Sequence, residues 1–294
     1  MGPKTSPSRD RPNYRPSRRS EQVEAPRSTA GSREIQDAEI AIYRQDFNLY
    51  PAFFWHTDES ADSIGLREAR YIEGLYAYLD ALTDRNPGLI LDNCASGGRR
   101  LDFEMMRRCV ALWRSDSCWD DANYPRNAQA MTHGLSHWLP LHGLGSRSAD
   151  ETALRSGMGA CVSYAIDFNE DSRVASLRRH LDRFREVRSL FAADYYPLTP
   201  WTTDPSKWLA FQFHDPDQGK GIVQIFRGAG DSEARLDVYP SGLEPDRRYA
   251  VRDWDQEAVE ERTGRALSES GLPCRSDGRS NVAFVFEYEE VPSR

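Results

Sequence analysis

What this sequence lacks narrows its class before any motif is read. No apolar stretch approaches the roughly 18 uninterrupted residues that a membrane-spanning helix needs, so no membrane segment is expected. The first residues contain no apolar core of the kind a secretory leader carries, which argues against classical secretion. A basic excess is missing too. The 38 Lys and Arg stand against 46 Asp and Glu, a net charge of −8, whereas a nucleic-acid binder usually presents a net basic face. The five cysteines form an odd set with no Cys-x-x-Cys pair, which fits reduced thiols in a cytoplasmic protein. His133 and His137 are four apart, but position 134 is Gly, so the His-Glu-x-x-His pattern of zinc proteases is absent. No metal and no other cofactor is expected.

Residues 1–36 hold almost no large aliphatic side chains and are rich in Pro, Ser and Arg. A segment of that composition cannot bury enough apolar surface to offset its ordering entropy, which predicts disorder. A basic nucleic-acid arm or a transit peptide is the alternative, and Asp10, Glu21 and Glu24 interrupt the basic run in both cases.

What is present begins near Glu39. A short apolar strand, Ile40 to Tyr43, leads into Arg44-Gln45-Asp46-Phe47-Asn48. Leu66, Ala69, Ile72, Leu75, Tyr76 and Leu79 then recur at three-and-four spacing, an amphipathic helix stopped by Asn86-Pro87-Gly88. Leu89-Ile90-Leu91 reads as the next strand and runs into Asp92-Asn93-Cys94-Ala95-Ser96-Gly97-Gly98. A helix over 100–109 precedes the strand Leu112-Trp113, which ends in Arg114-Ser115-Asp116. Further on, a helix over 120–138, a strand at 139–141, a strand or short buried segment at 157–164 and an amphipathic helix over 171–191 continue the series. Alternating strands and helices at these spacings belong to an α/β barrel or a doubly wound sheet, where ligands meet the carboxyl ends of parallel strands. From Trp201 onward the texture changes to short strands separated by turn residues, the pattern of a small antiparallel β-sandwich. The expected organisation is a disordered segment over 1–36, a catalytic domain over 37–200 and a sandwich over 201–294.

Two carboxylates, Asp46 and Asp116, sit at strand ends on what would be one face of a barrel. Hydrolysis of a glycoside with retention needs such a pair, one to attack the anomeric carbon and one to protonate the leaving oxygen; strand-end aspartates also cap helices and loops. Arg44 lies two residues before Asp46, on the same side of its strand, where a cation holds a neighbouring carboxylate ionised or forms a structural salt bridge. Cys94 is either a ligand contact or a buried structural thiol. Trp113, Trp119 and Trp55 are candidates for stacking on a sugar ring, or for ordinary packing. The arginines Arg178, Arg179, Arg183, Arg185 and Arg188 read as a solvated helix face.

Three motifs in this order, Arg44-Gln45-Asp46, Asn93-Cys94-Ala95-Ser96-Gly97-Gly98 and Trp113-Arg114-Ser115-Asp116, resemble the signatures of the melibiase-type α-galactosidases, glycoside hydrolase family 36. The resemblance runs from about Glu39 to the C-terminus. It implies the C-terminal half of a (β/α)8 barrel followed by a β-sandwich, with Asp46 as nucleophile and Asp116 as acid/base. Arg44, Asn48, Cys94, Ser96, Gly97, Gly98 and Trp113 become candidate substrate-binding residues, with Cys94 and the adjacent glycines at the sugar's 2-position. Tyr43-Arg44-Gln45 departs from the family's Lys-Trp pattern while keeping the charge. The partner implied is an α-galactoside carbohydrate, with no nucleic acid and no membrane; a homo-oligomer or a complementing barrel half stays open. The family enzyme carries an N-terminal β-sandwich and earlier barrel strands, so the chain is expected to be weakly active or inactive alone. An inert remnant that only binds sugar or a partner chain, and galactosyl transfer on the same scaffold, are the alternatives.

Overall fold

The computed structural model describes residues 29–110, 112–119, 123–230 and 234–292. The expected disorder over 1–36 lies outside the described residues as far as 28. Beyond that point it is corrected: Thr29–Asp37 forms helix α1. Ile35 is buried, and Gln36 Nε2 donates to the Arg85 carbonyl at 3.2 Å.

Five strands and the helices between them follow: β1 (Ile42–Asp46), α2 (Ala52–Trp55), α3 (Leu66–Arg85), β2 (Ile90–Cys94), α4 (Phe103–Arg108), β3 (Leu112–Trp113), α5 (Tyr124–Leu135), β4 (His142–Ser146), α6 (Glu151–Ser156), β5 (Cys161–Tyr164) and α7 (Asp171–Val187). The strands pair in the order β1-β2-β3-β4-β5 and every pairing is parallel. Strand order that never reverses is the order of a barrel, whereas a doubly wound sheet has a switch point. Among the described residues nothing pairs with the outer edges of β1 and β5.

Alternation along the strands divides the sheet into two faces. Leu91 and Leu112 join Leu75, Leu79, Met105 and Leu139 in a buried cluster under the helices, with Tyr43 packed against it. The other face carries Ile42, Arg44 and Asp46 on β1, each opposite Ile90, Asp92 and Cys94 on β2. Its lowest layer is open: Ile42 is 58% and Ile90 45% exposed.

The fourth strand corrects the expectation of 139–141. Leu139 belongs to the buried cluster beneath the helices, and the strand is His142-Gly143-Leu144-Gly145-Ser146. Two glycines disguise it as a loop, yet the packing requires them. A Cβ at Gly145 would lie 2.8 Å from the Ser163 carbonyl and 3.0 Å from Trp113 Cη2. The loop after β2 makes a still closer approach. A Cβ at Gly98 would stand 2.3 Å from the Arg114 carbonyl, and one at Gly97 3.0 Å from the Asp116 amide. The backbone leading into Asp116 is therefore wedged against the loop that follows Cys94.

The C-terminal part holds β6 (Asp194–Pro197), β7 (Leu209–Asp215), β8 (Lys220–Arg227), β9 (Arg235–Val238), β10 (Arg248–Asp253), β11 (Val259–Thr263), α8 (Gly264–Ser270), β12 (Leu272–Arg275) and β13 (Val282–Glu290). Six strands make one sheet, β11-β10-β13-β8-β7-β6, and β12 pairs with β9 in a ribbon. Because β6 pairs with β7, this sheet starts before the boundary at 200. One face, with Val223, Ile225, Val251 and Tyr288, packs on residues of the ribbon and α8. The opposite face, with Phe211, Phe213, Ile222 and Val285, packs on Met158, Val187, Leu190 and Phe191. Burial on both faces explains why β7 and β8 read as nearly continuous apolar runs. Arg155 of α6 is buried in this junction; its Nη1 donates to the Ala283 carbonyl at 2.6 Å and to Asp255 Oδ2 at 2.9 Å. The α7 arginines are exposed, although Arg183 also donates to the Trp254 carbonyl. No helix among the described residues is long and apolar enough to cross a membrane.

This packing sets opposite expectations for two glycines. Gly98→Ala should destabilise the chain by about 1–3 kcal/mol, because backbone on both sides of the contact has nowhere to yield. Gly74→Ala, in helix α3 with open space around it, should stabilise by about 0.5–1 kcal/mol. Chemical denaturation of both variants checks the opposite signs.

Acid should also weaken the fold through one buried histidine. Burial, with the Arg155 cation adding to it, pulls His180 from its ordinary 6.5 down to about 4, and its Nε2 lies 3.0 Å from the Tyr164 hydroxyl. The imidazole is neutral in the fold and gains a proton on unfolding below pH 6.5. Stability is thus full above that pH and declines as pH falls toward about 4, by up to about 3 kcal/mol for this one group. His180→Gln should flatten the dependence of Tm on pH across that window; an unchanged slope would refute the assignment.

Candidate active site

The open face of the sheet becomes a site at the carboxyl ends of the strands. A cavity of about 390 Å³ is lined there by Arg44, Asp46, Asp92, Cys94, Trp113 and Asp116, together with Trp119 and the inner sides of β4 and β5. Asp46 is the last residue of β1, opposite Cys94 in register. Asp116 opens a short 3-10 turn, Asp116–Trp119, just beyond β3. Both carboxylates are exposed to the cavity mouth.

Asp92 and Asp116 each have a specific neighbour. Arg44 Nη1 lies 2.7 and 2.8 Å from the two oxygens of Asp92, and its guanidinium sits 5.5 Å from the centre of the Trp113 ring. Burial by itself would lower the Arg44 pKa, but the hydrogen-bonded Asp92 carboxylate, with Cys94 and Asp46 adding their fields, leaves it raised. The cation is permanent. Trp113 Nε1 donates to Asp116 Oδ1 at 2.9 Å, which fixes one oxygen of that carboxyl group. The Trp113 indole in turn stacks on Trp119, with centroids 6.0 Å apart and planes 23° apart.

Cys94 is buried. Burial pushes its thiol up to about 11; the Gly97 backbone hydrogen bond lowers it and the adjacent Asp46 carboxylate, to which the thiol is hydrogen-bonded, raises it. At neutral pH this is an S–H donor rather than a thiolate, so it has no activated nucleophile to offer.

The cavity gathers Arg44, Asp46, Cys94, Trp113 and Asp116. Four other sequence candidates, Asn48, Ser96, Gly97 and Gly98, do not line it. Asn48 Oδ1 accepts from the Ser96 amide at 3.1 Å and from Ser96 Oγ at 2.8 Å, tying the loop after β1 to the loop after β2. The two glycines face the Arg114–Asp116 backbone, as described above. Trp55 packs against Tyr71, with centroids 5.4 Å apart. His133 Nε2 donates to the Thr199 carbonyl at 2.8 Å, and among the described residues no group of three His, Cys, Asp or Glu is placed to hold a metal ion. Asp92 joins the site although no motif singles it out; the two-residue alternation back from Cys94 is the signal that points to it. Cys161 and Ser163 of β5 line the cavity as well, and alternation along 157–164 is the corresponding signal for them.

Comparison with known proteins bears on this arrangement. Residues 53–147 match the melibiase family. The chain is 22% identical over 240 residues to the bifunctional α-galactosidase/sucrose kinase AgaSK of Mediterraneibacter gnavus, across 75% of this chain and 24% of that protein. It is 24% identical over 197 residues to the α-galactosidase AgaA of Geobacillus stearothermophilus, across 62% of this chain and 26% of that one. The crystal structure of the latter, a family 36 enzyme, superposes with a TM-score of 0.75 at 19% identity, over 90% of this chain and 37% of the other. Variants of that enzyme have been crystallised with raffinose and with stachyose. The chain thus spans about a quarter of the length of these curated relatives, and its five parallel strands correspond to part of their barrel-like fold. By sequence and by fold together, the chain is similar to the melibiase-type α-galactosidases of glycoside hydrolase family 36.

Proposed function

We propose that this chain carries the catalytic carboxylate pair of a retaining glycosidase that acts on α-galactosides. The observation that supports this most is the joint placement of Asp46 and Asp116 at one cavity, at the carboxyl ends of β1 and β3. In the first step Asp46 attacks the anomeric carbon while the Asp116 carboxylic acid gives its proton to the departing glycosidic oxygen. A glycosyl ester on Asp46 results. In the second step Asp116, now a carboxylate, takes a proton from water as that water attacks the same carbon, and galactose leaves with its configuration retained. Arg44, held by Asp92, brings a permanent cation to the sugar side of the cavity. The Trp113 indole holds Asp116 Oδ1, which directs Oδ2 to the proton transfer. By the family resemblance, Cys94 meets the sugar at its 2-position. The unbridged thiols at Cys94, Cys109 and Cys274 fit a reducing compartment such as the cytoplasm.

A second reading rests on the open edge of β1 and the exposed Ile42 and Ile90. Among the described residues no further strand extends the sheet past β1, the strand that carries Asp46, so few groups are available to hold a bound sugar from that side. On this reading the chain alone binds galactosides without turning them over.

Both readings are separated by one assay. The 294-residue chain should release the phenol from an aryl α-galactoside, and Asp46→Ala should abolish that release with the melting transition unchanged. Asp116→Ala should lose about 10²–10⁴-fold on a natural oligosaccharide, whose leaving group needs the proton, and much less on an activated aryl substrate. Equal losses on the two substrates would remove Asp116 from the acid role. Saturable binding without turnover would favour the second reading.

A further inference from the structure

Asn48 follows Asp46 by two residues, just past the end of β1, and it does not line the cavity. Its side chain turns to the loop after β2, where Oδ1 accepts from both the amide and the hydroxyl of Ser96, at 3.1 and 2.8 Å. Ser96 has a φ of +47°. A residue with a Cβ keeps that left-handed conformation only where its surroundings hold it. The two bonds to Asn48 supply such a hold.

Ser96 in turn sets the two glycines that follow it. With Ser96 and Gly97 both at positive φ, +47° and +81°, the loop folds back until the Ala95 amide donates to the Gly97 carbonyl at 3.2 Å. Gly97 then lies against the backbone of Ser115 and Asp116, and Gly98 against the Arg114 carbonyl. A line of contact therefore runs from the residue two past one carboxylate, through Ser96 and the glycines, to the peptide that carries the other. The two carboxylates come from β1 and from the turn after β3, with β2 between those strands in the sheet. Strand pairing alone leaves the gap between them to the loops. Hydrolysis with retention tolerates little play in that gap: it needs the carboxyl groups about 5 Å apart, and room for a water between them belongs to the inverting arrangement.

We propose that Asn48 is a positioning residue of the reaction, which through Ser96 fixes the place of the Asp116 acid relative to the Asp46 nucleophile. The inference rests on the glycosidase reading and adds to it a residue that acts through the loop after β2 and not on the sugar. The two bonds to Ser96 use the acceptor oxygen of the Asn48 amide. This role therefore requires an acceptor at position 48, whereas donation to a sugar hydroxyl would require the amide's N–H groups.

The full chain carrying Asn48→Ala or Asn48→Asp tests this with two readouts. The first is turnover of raffinose and of an activated aryl α-galactoside. Asn48→Ala should lose about 10–100-fold on raffinose, whose leaving group needs a well-placed proton donor, and much less on the aryl substrate. Asn48→Asp, which keeps an acceptor oxygen, should recover most of the raffinose loss. The second readout is the Trp113 indole N–H resonance in a proton–nitrogen correlation spectrum, identified with a Trp113→Phe variant; it senses the bond to Asp116 Oδ1. Asn48→Ala should shift that resonance, and Asn48→Asp should leave it close to its original position. A lowered melting temperature with the substrate ratio and the indole resonance unchanged would overturn the proposal, because Asn48 would then serve the fold alone. Equal losses from Asn48→Ala and Asn48→Asp would overturn it in favour of a direct sugar contact. Both of these results leave the glycosidase reading intact. Absence of turnover by the unaltered chain on both substrates would overturn that reading and the proposal with it.

Discussion

The burial of Arg155 is the constraint on which the two halves of the fold depend. Its guanidinium is 4% exposed, and a charge so placed is tolerable only if its donors are satisfied. They are satisfied from both sides of the junction. Glu151 comes from its own helix, while Asp255 and the Ala283 carbonyl come from the antiparallel sheet. The Arg155 carbonyl meanwhile accepts from Gln224 Nε2 at 2.9 Å. The hydrogen-bonded Arg155 holds Asp255 below the usual carboxylate range, against the burial that would raise it. A pair of layers joined only by apolar contact could slide; this polar cluster gives the junction one register. The strands that carry the cavity inherit their position from it, since α6 connects β4 to β5.

Within the parallel sheet the same economy of contacts decides where the chemistry sits. Three cross-strand pairs climb the inner face of β1 and β2: two isoleucines, then Arg44 with Asp92, then Asp46 with Cys94. Polarity rises from the base of the strands to their carboxyl ends, so the charged groups collect where the loops and the solvent are. Asp116 arrives from a different strand and is held by different means: the indole N–H of Trp113 on one side and the glycine loop pressed against its backbone on the other. One carboxylate is set by strand register and the other by loop packing.

That division also explains how much of the site is legible in the sequence. Asp46, Cys94 and Asp116 can be read because each follows a short apolar run with a plain turn signal. Asp92 is harder to see because it stands where the apolar run gives way to polar residues and looks like part of the loop, although simple strand alternation from Cys94 puts it on the same face. The strand at 142–146 is hidden because glycines normally mark loops, and the need for bare backbone beneath two indoles exists only in three dimensions. Gly97 and Gly98 look in sequence like room for a ligand; the room they make is for the neighbouring loop. In the C-terminal sheet the long strands are plain, whereas the ribbon strands β9 and β12, four residues each, carry too little pattern to stand out. Helix α1 is masked by the composition of the residues before it.

The stacked indoles of Trp113 and Trp119 carry one more consequence. Two nearly parallel chromophores 6.0 Å apart share their excited states, and one of them is hydrogen-bonded to Asp116 while the other lies under Arg147. Any movement of the acid group, or any molecule that shifts the arginine, changes the angle between their transition dipoles. The site therefore contains its own optical reporter, placed by the bare backbone of β4 and readable in the protein's ultraviolet dichroism without a label.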